Sequence, residues 1–289
     1  MSNSCPNGSS PSGSSSSVQS SSSNGSSSSS LQSSSSSVAS SSSTPSSSSS
    51  PSGGGGNCPN AVTGNGTVSC GGKTYKTVKI GNQTWMAENL NYAVEGSKCY
   101  GEGGEVYEDR KGSITLSNAQ IQANCAKYGR LYDWSAAMGI DAKYNSQMWN
   151  GSDVNHRGIC PSGWHLPSED EWKALVSSVG GSSTAGKHLK TKEGWNSCGP
   201  TGSDKDYLCE DTYGFSALPG GGCKYGVYFS NVGDSGDWWS ASEFSEIRSD
   251  DGYIMNIYAY IMNMYYASEN VFGGGGDKSL LFSVRCLQD

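Results

Sequence analysis

The chain is predicted to fold as an α+β domain with few short helices, small antiparallel sheets and long loops, stapled by disulfides. Three observations carry this. One segment alone, from Ser168 to Gly181, has strong helix grammar; most of the remaining order reads as short β-rich segments punctuated by glycine; and 10 cysteines are spread through a 289-residue chain without paired Cys-x-x-Cys motifs.

The chain divides by chemistry before any motif is read. Residues 1–56 are almost wholly Ser with Gly and Pro, and the first charged residue of the protein is Lys73. Such a segment has too little apolar surface to offset its ordering entropy. It is expected to be a disordered tether with a root-mean-square span of about 40 Å. Residues 57–289 are rich in Gly, Tyr and Trp and are expected to form a single domain with a buried core.

The elements follow in order. Thr74 to Ile80 and Thr84 to Leu90 are β-rich and flank Gly81-Asn82, which reads as a hairpin. Ser117 is placed to cap a helix carrying Ile121 and Cys125, and Asp133 to cap a second holding Trp134, Ala137 and Met138. Ser168 and Glu171 form a capping box, in which each side chain satisfies a backbone N–H of the first turn. Trp172, Leu175, Val176 and Val179 then define one apolar face, and Gly180-Gly181 end the helix. From Tyr253 to Tyr266 both parities are apolar, so this strand is expected to be central. Gly273 to Gly276 is expected to turn, and Leu280 to Leu287 to return as the last strand.

Several blocks, Tyr75-Lys76-Thr77-Val78-Lys79-Ile80-Gly81, Thr84-Trp85-Met86-Ala87-Glu88-Asn89-Leu90, Tyr128-Gly129-Arg130-Leu131-Tyr132, Cys160-Pro161-Ser162-Gly163-Trp164-His165-Leu166-Pro167-Ser168, Gly214-Phe215-Ser216-Ala217-Leu218-Pro219 and Ser283-Val284-Arg285-Cys286, closely resemble the Fibrobacter succinogenes major paralogous domain. The resemblance spans about residues 71–289. It implies an extracytoplasmic, disulfide-bearing bacterial module, often found on lipoproteins. The Leu166-to-Trp172 block is also similar to the helix start of formylglycine-generating-enzyme-like domains, which implies a C-type-lectin-like fold.

Cys58 and Cys70 flank one short loop, Cys198 and Cys209 another, and Cys99 with Cys125 a longer one. A bond between Cys160 and Cys286 is what the C-type-lectin-like resemblance implies, since that fold has a long-range staple. Spacing alone leaves the connectivity open, and Cys5 and Cys223 are left over. Disulfides indicate an oxidising compartment, so the domain is expected outside the cell or on its surface; the family resemblance further implies outer-membrane association through a lipid anchor upstream of the tether. No apolar signal segment precedes Cys5, and no run of about 20 apolar residues is present to cross a membrane. A net charge of −7 argues against nucleic acid as a partner.

Gly233-Asp234-Ser235-Gly236 resembles the tetrad around a trypsin-like nucleophile, yet none of His156, His165 and His188 sits in a matching context, so a polar turn is preferred. Glu169, Asp170 and Glu171 suit a helix dipole better than an acid–base pair. Asp234 with Asp237, and Asp250 with Asp251, are read as solvated loop carboxylates and no metal or other cofactor is expected. An enzyme of the formylglycine-generating type would need a reactive thiol, an unknown hydrolase a histidine–serine contact; a structural surface role is a further alternative. The preferred expectation is a non-catalytic module that binds polysaccharide or another cell-surface polymer through Tyr225, Tyr228, Trp238, Trp239, Tyr258 and Tyr260, whose rings can stack on sugars while hydroxyl and indole groups hydrogen-bond.

Overall fold

A computed structural model describes Cys58 and residues 62–108, 112–196, 198, 208–247 and 254–289. The expected tether at 1–56, Cys5 and the Asp250-Asp251 pair lie outside these residues.

Strands β1 (Val62–Gly64), β2 (Thr67–Cys70), β3 (Lys73–Ile80) and β4 (Gln83–Met86) form an antiparallel meander. Ile80 pairs with Gln83 across the expected two-residue turn, where Gly81 adopts φ 58°. The second strand is shorter than the sequence suggests. After Ala87, whose N–H still binds Lys76 O, the chain leaves β3 and Leu90 donates its N–H to Val284 O, carrying Asn89 into the core.

Next come β5 (Ser97–Lys98), β6 (Glu105–Glu108), β7 (Gly112–Ile114), helix α1 (Asn118–Tyr128), β8 (Leu131–Tyr132) and helix α2 (Trp134–Met138), then β9 (Trp164–His165) and helix α3 (Glu169–Ser178). Ser117, Asp133 and Ser168 cap the three helices as their local sequence dictates, and the Ser168–Glu171 capping box is complete. Trp172, Leu175 and Val179 are buried. A further short helix, α4 (Ala185–Leu189), has no side-chain cap and follows a stretch without helical periodicity, which is why the sequence does not announce it.

The C-terminal third supplies β10 (Gly220–Lys224), β11 (Tyr228–Val232), β12 (Ser235–Ile247), β13 (Ile254–Tyr265), β14 (Val271–Asp277), β15 (Phe282–Ser283) and β16 (Leu287–Gln288). One sheet has six strands in the order β1-β2-β3-β4-β16-β9. The other has ten and is mixed: β10 with β12, β12 with β15, and β6 with β11 run parallel, where only small antiparallel sheets were expected. The last strand is likewise split, with β15 in the larger sheet and β16 in the smaller.

Gly273 to Gly276 do not turn. They lie within β14, opposite Met262 to Ala259 of β13. Glycine is required there by close approach: a Cβ on Gly275 would sit 2.6 Å from the Phe244 ring, and one on Gly276 3.0 Å from the Trp239 ring. β13 is central, between β12 and β14, although its first residues Ile254 and Met255 are exposed.

The β12–β13 layer separates two apolar cores. Trp239 joins Trp134, Ala137 and Met138 of α2 on one side, and Trp238 joins Trp172 and Leu175 of α3 on the other. Trp134 Nε1 donates to Ser240 O at 2.9 Å and Trp172 Nε1 to Trp239 O at 3.3 Å, so each helix is tied to the strand it covers.

Candidate functional site

The blocks that carry the family resemblance converge on a buried guanidinium. Arg285 is fully buried, stacked 4.2 Å over the Phe215 ring, and donates to Phe215 O, to Ser216 O at 3.1 Å and to Asn89 Oδ1 at 2.8 Å. Trp238 Nε1 donates to the same Asn89 oxygen at 2.9 Å, and Asn89 Nδ2 donates to Tyr128 O. Burial lowers the Arg285 pKa to about 9, against the pull of Asp211 and Glu88. These residues are sequestered from ligand: they join five chain segments and hold the fold.

Trp238 and Trp239 are therefore not surface residues. Neighbours on a strand point to opposite faces, and here α2 and α3 cover both, leaving each indole 0% exposed. The recognition surface expected to include them must be drawn without them.

Tyr225 and Tyr258 line two open clefts that meet. The first, about 350 Å³, is lined by Gly96, Ser97, Lys98, Asp133, Asn145, Tyr225, Gly226, Ser279 and Leu281. The second, about 470 Å³, brings Tyr258 together with Ile254, Asn256, Asp277, Asn145 and Ser279. Asn145 and Ser279 belong to both and form a polar saddle.

The saddle is built by one backbone bond between distant segments and one local side-chain bond. Trp134 N donates to Lys278 O at 3.0 Å, placing Asp133 beside Ser279, and Ser135 N donates to Asn145 Oδ1 at 2.9 Å. Asp133 Oδ1 caps α2 by accepting from Ala136 N and Ser135 Oγ. Asp277 Oδ1 accepts from the N–H and hydroxyl of Ser279 at 2.9 and 2.8 Å.

Tyr225 stands at the tip of the β10–β11 hairpin, 69% exposed and at φ 54°. An aromatic residue in the left-handed region carries strain that neighbours must hold. Lys98 does so by donating to Gly226 O at 2.6 Å, and Lys224 Nζ lies 4.9 Å from the Tyr225 ring centre.

Tyr258 is half-buried beside Phe244, whose ring centre is 5.4 Å away and which also packs 4.5 Å from Tyr260. Burial, then Glu246 and Asp277, raise the Tyr258 pKa. Tyr260 thus belongs to an aromatic shelf on the sheet face. Tyr228 is 54% exposed on β11, paired with Lys224 and Glu105, and lines neither cleft.

Other chemistry-bearing groups are committed elsewhere. Cys223 is a buried thiol that burial pushes up to about 11. His156 Nε2 meets Met138 O, His188 Nδ1 is shared between Thr212 and Glu210, and His165 lies between Glu171 and Asp289. Ser235 Oγ donates to Asp237 at the start of β12, and among the described residues the serine of the Gly233-to-Gly236 tetrad has no histidine on it. Glu169 and Asp170 pair with Lys173, while Asp234 accepts from Asn196 and Asp237 from Asn263. Among the described residues no group of three or more His, Cys, Asp or Glu gathers as a metal cluster, and no helix is long and apolar enough to cross a membrane.

Among the described residues the disulfides are Cys58–Cys70, Cys99–Cys125, Cys160–Cys286 and Cys198–Cys209. A domain so cross-linked matures in an oxidising compartment outside the cytoplasm. It is an α+β, disulfide-stapled module with an open double cleft. A family model described as the Fibrobacter succinogenes major domain matches residues 78–288, and the chain belongs to that family. No curated protein and no solved structure matches the chain.

Proposed function

We propose that the domain is a non-catalytic binding module displayed at the cell surface, taking polysaccharide or another surface polymer in the joined clefts. The observation that carries this is the pairing of Tyr225 and Tyr258 in two open clefts that share a saddle of Asn145 and Ser279. Tyrosine rings stack on the C–H faces of sugar rings, and the amide, hydroxyl and carboxylate groups between them suit sugar hydroxyls.

A C-type-lectin-like fold is part of this reading. It is supported by the Cys160–Cys286 staple, which ties the loop before α3 to the segment just ahead of β16 across 126 residues. Outer-membrane display on a lipid-anchored tether accords with the family's usual setting and with the disulfides. In such an arrangement weak single contacts would gain from many copies on one surface.

The test is retardation of the purified chain in native gels cast with soluble polysaccharides. Retardation by at least one polymer that is weakened by Tyr258→Ala supports the reading. Mobility unchanged across a broad panel, with the protein folded, refutes it.

A further inference from the structure

The chemistry of the saddle narrows the ligand class. Asp133 and Asp277 each use one carboxylate oxygen to hold the fold, and among the described residues the other has no hydrogen-bond partner: Oδ1 of Asp133 caps α2, and Oδ1 of Asp277 binds Ser279. Asp133 Oδ2 faces Gly96, where a Cβ would come within 2.4 Å of it, so the absence of a side chain there keeps this oxygen open to the cleft. The one lysine of the first cleft, Lys98, is already bound to Gly226 O. The saddle therefore offers two acceptor oxygens carrying negative charge, with the ammonium groups of Lys98 and Lys224 at the Tyr225 end of the first cleft.

We propose that the joined clefts take an uncharged, hydroxyl-rich polysaccharide and reject polyanionic ones, with Asp133 and Asp277 as the specificity-determining residues. This rests on the binding reading above. A carboxylate accepts from sugar hydroxyls with charge-assisted strength, whereas a uronate or sulfate brought to the same place adds like charge and leaves its own oxygens without donors. At low ionic strength the preference for neutral over acidic polymer should be about tenfold, shrinking as salt screens the carboxylates.

The experiment compares a neutral β-glucan and a neutral xylan with polygalacturonate and alginate, by gel retardation of the full chain at low and moderate salt. The Asp133→Asn/Asp277→Asn double variant keeps the Oδ1 acceptors that cap α2 and bind Ser279, so it should fold, as checked by its melting curve. Lys173→Ala, on the exposed side of α3, serves as a control. The expected result is retardation by a neutral polymer alone for the wild-type and control proteins, with the neutral-to-acidic ratio collapsing several-fold in the double variant. Equal wild-type affinity for acidic and neutral polymers overturns this inference while leaving the binding reading intact, as does a ratio unchanged in the folded double variant. Retardation by none of the polymers, neutral or acidic, removes both.

Discussion

Replacing Trp239 by Ala should destabilise the domain by about 3–5 kcal/mol, the usual cost of deleting a buried tryptophan. The indole is fully buried, its ring centre lies 4.9 Å from Phe282, and its Nε1 donates to Tyr132 O at 2.7 Å. Removing it takes away an apolar burial of about 150–250 Å² and one buried hydrogen bond of about 1 kcal/mol. The cavity would open between α2 and β12, where Gly276 closely approaches the ring and has no side chain to fill the space. Guanidinium unfolding followed by far-ultraviolet circular dichroism measures the loss, with the slope checked for constancy. Tyr228→Ala, a change at an exposed ring, should stay within about 0.5 kcal/mol of wild type. A folded Trp239→Ala protein of wild-type stability would show that the indole faces solvent and would return it to the candidate surface.

Three further outcomes concern the core. The Cys160→Ser/Cys286→Ser pair should lower stability by about 2–5 kcal/mol, since the bond closes a long loop, and non-reducing peptide mapping should recover the Cys160–Cys286 peptide from the wild type. Burial opposes charge on His165, but its hydrogen bonds to Glu171 and Asp289 prevail and raise its pKa, so its contribution is fully present below pH about 6.5 and is lost as pH rises through the raised value. The melting-temperature difference between wild type and His165→Asn should shrink from pH 6 to pH 9; a constant difference would contradict the charged bridge. Burial raises the Asp237 pKa to about 6, so the folded state loses stability between pH about 4 and 6. Asp237→Asn should therefore gain about 2–3 kcal/mol relative to wild type at pH 7 and nothing below pH 4, and an equal effect at both values would refute the assignment.

Local grammar was legible in the sequence. Ser117, Asp133 and Ser168 sit where each helix must find its first hydrogen-bond partner, and that requirement is satisfied within four residues of chain. What escaped depends on segments arriving from far away. Trp238 and Trp239 read as an exposed pair because a strand's two faces differ only when one is solvated, and nothing near them reveals that α2 and α3 cover both. Gly273 to Gly276 read as a turn because the Phe244 and Trp239 rings that demand glycine come from another strand. Aromatic density marks Tyr225 and Tyr258, but no local pattern marks Lys98, Asp133, Asn145, Asp277 and Ser279 as cleft residues. Asp133 is legible only as a helix cap, and the meeting of Asn145 with Ser279 depends on the backbone bond from Trp134 to Lys278, between segments more than 130 residues apart, a contact that leaves no periodic trace.

The central claim is that the joined clefts bind polymer, and Tyr225 separates binding from folding most cleanly. At φ 54° a tyrosine is strained by about 1–3 kcal/mol, which glycine relieves at some cost in chain entropy. Tyr225→Gly should therefore melt at or slightly above the wild-type temperature, and its retardation by whichever polysaccharide holds the wild type should fall at least several-fold. Undiminished retardation of that folded variant would contradict the account.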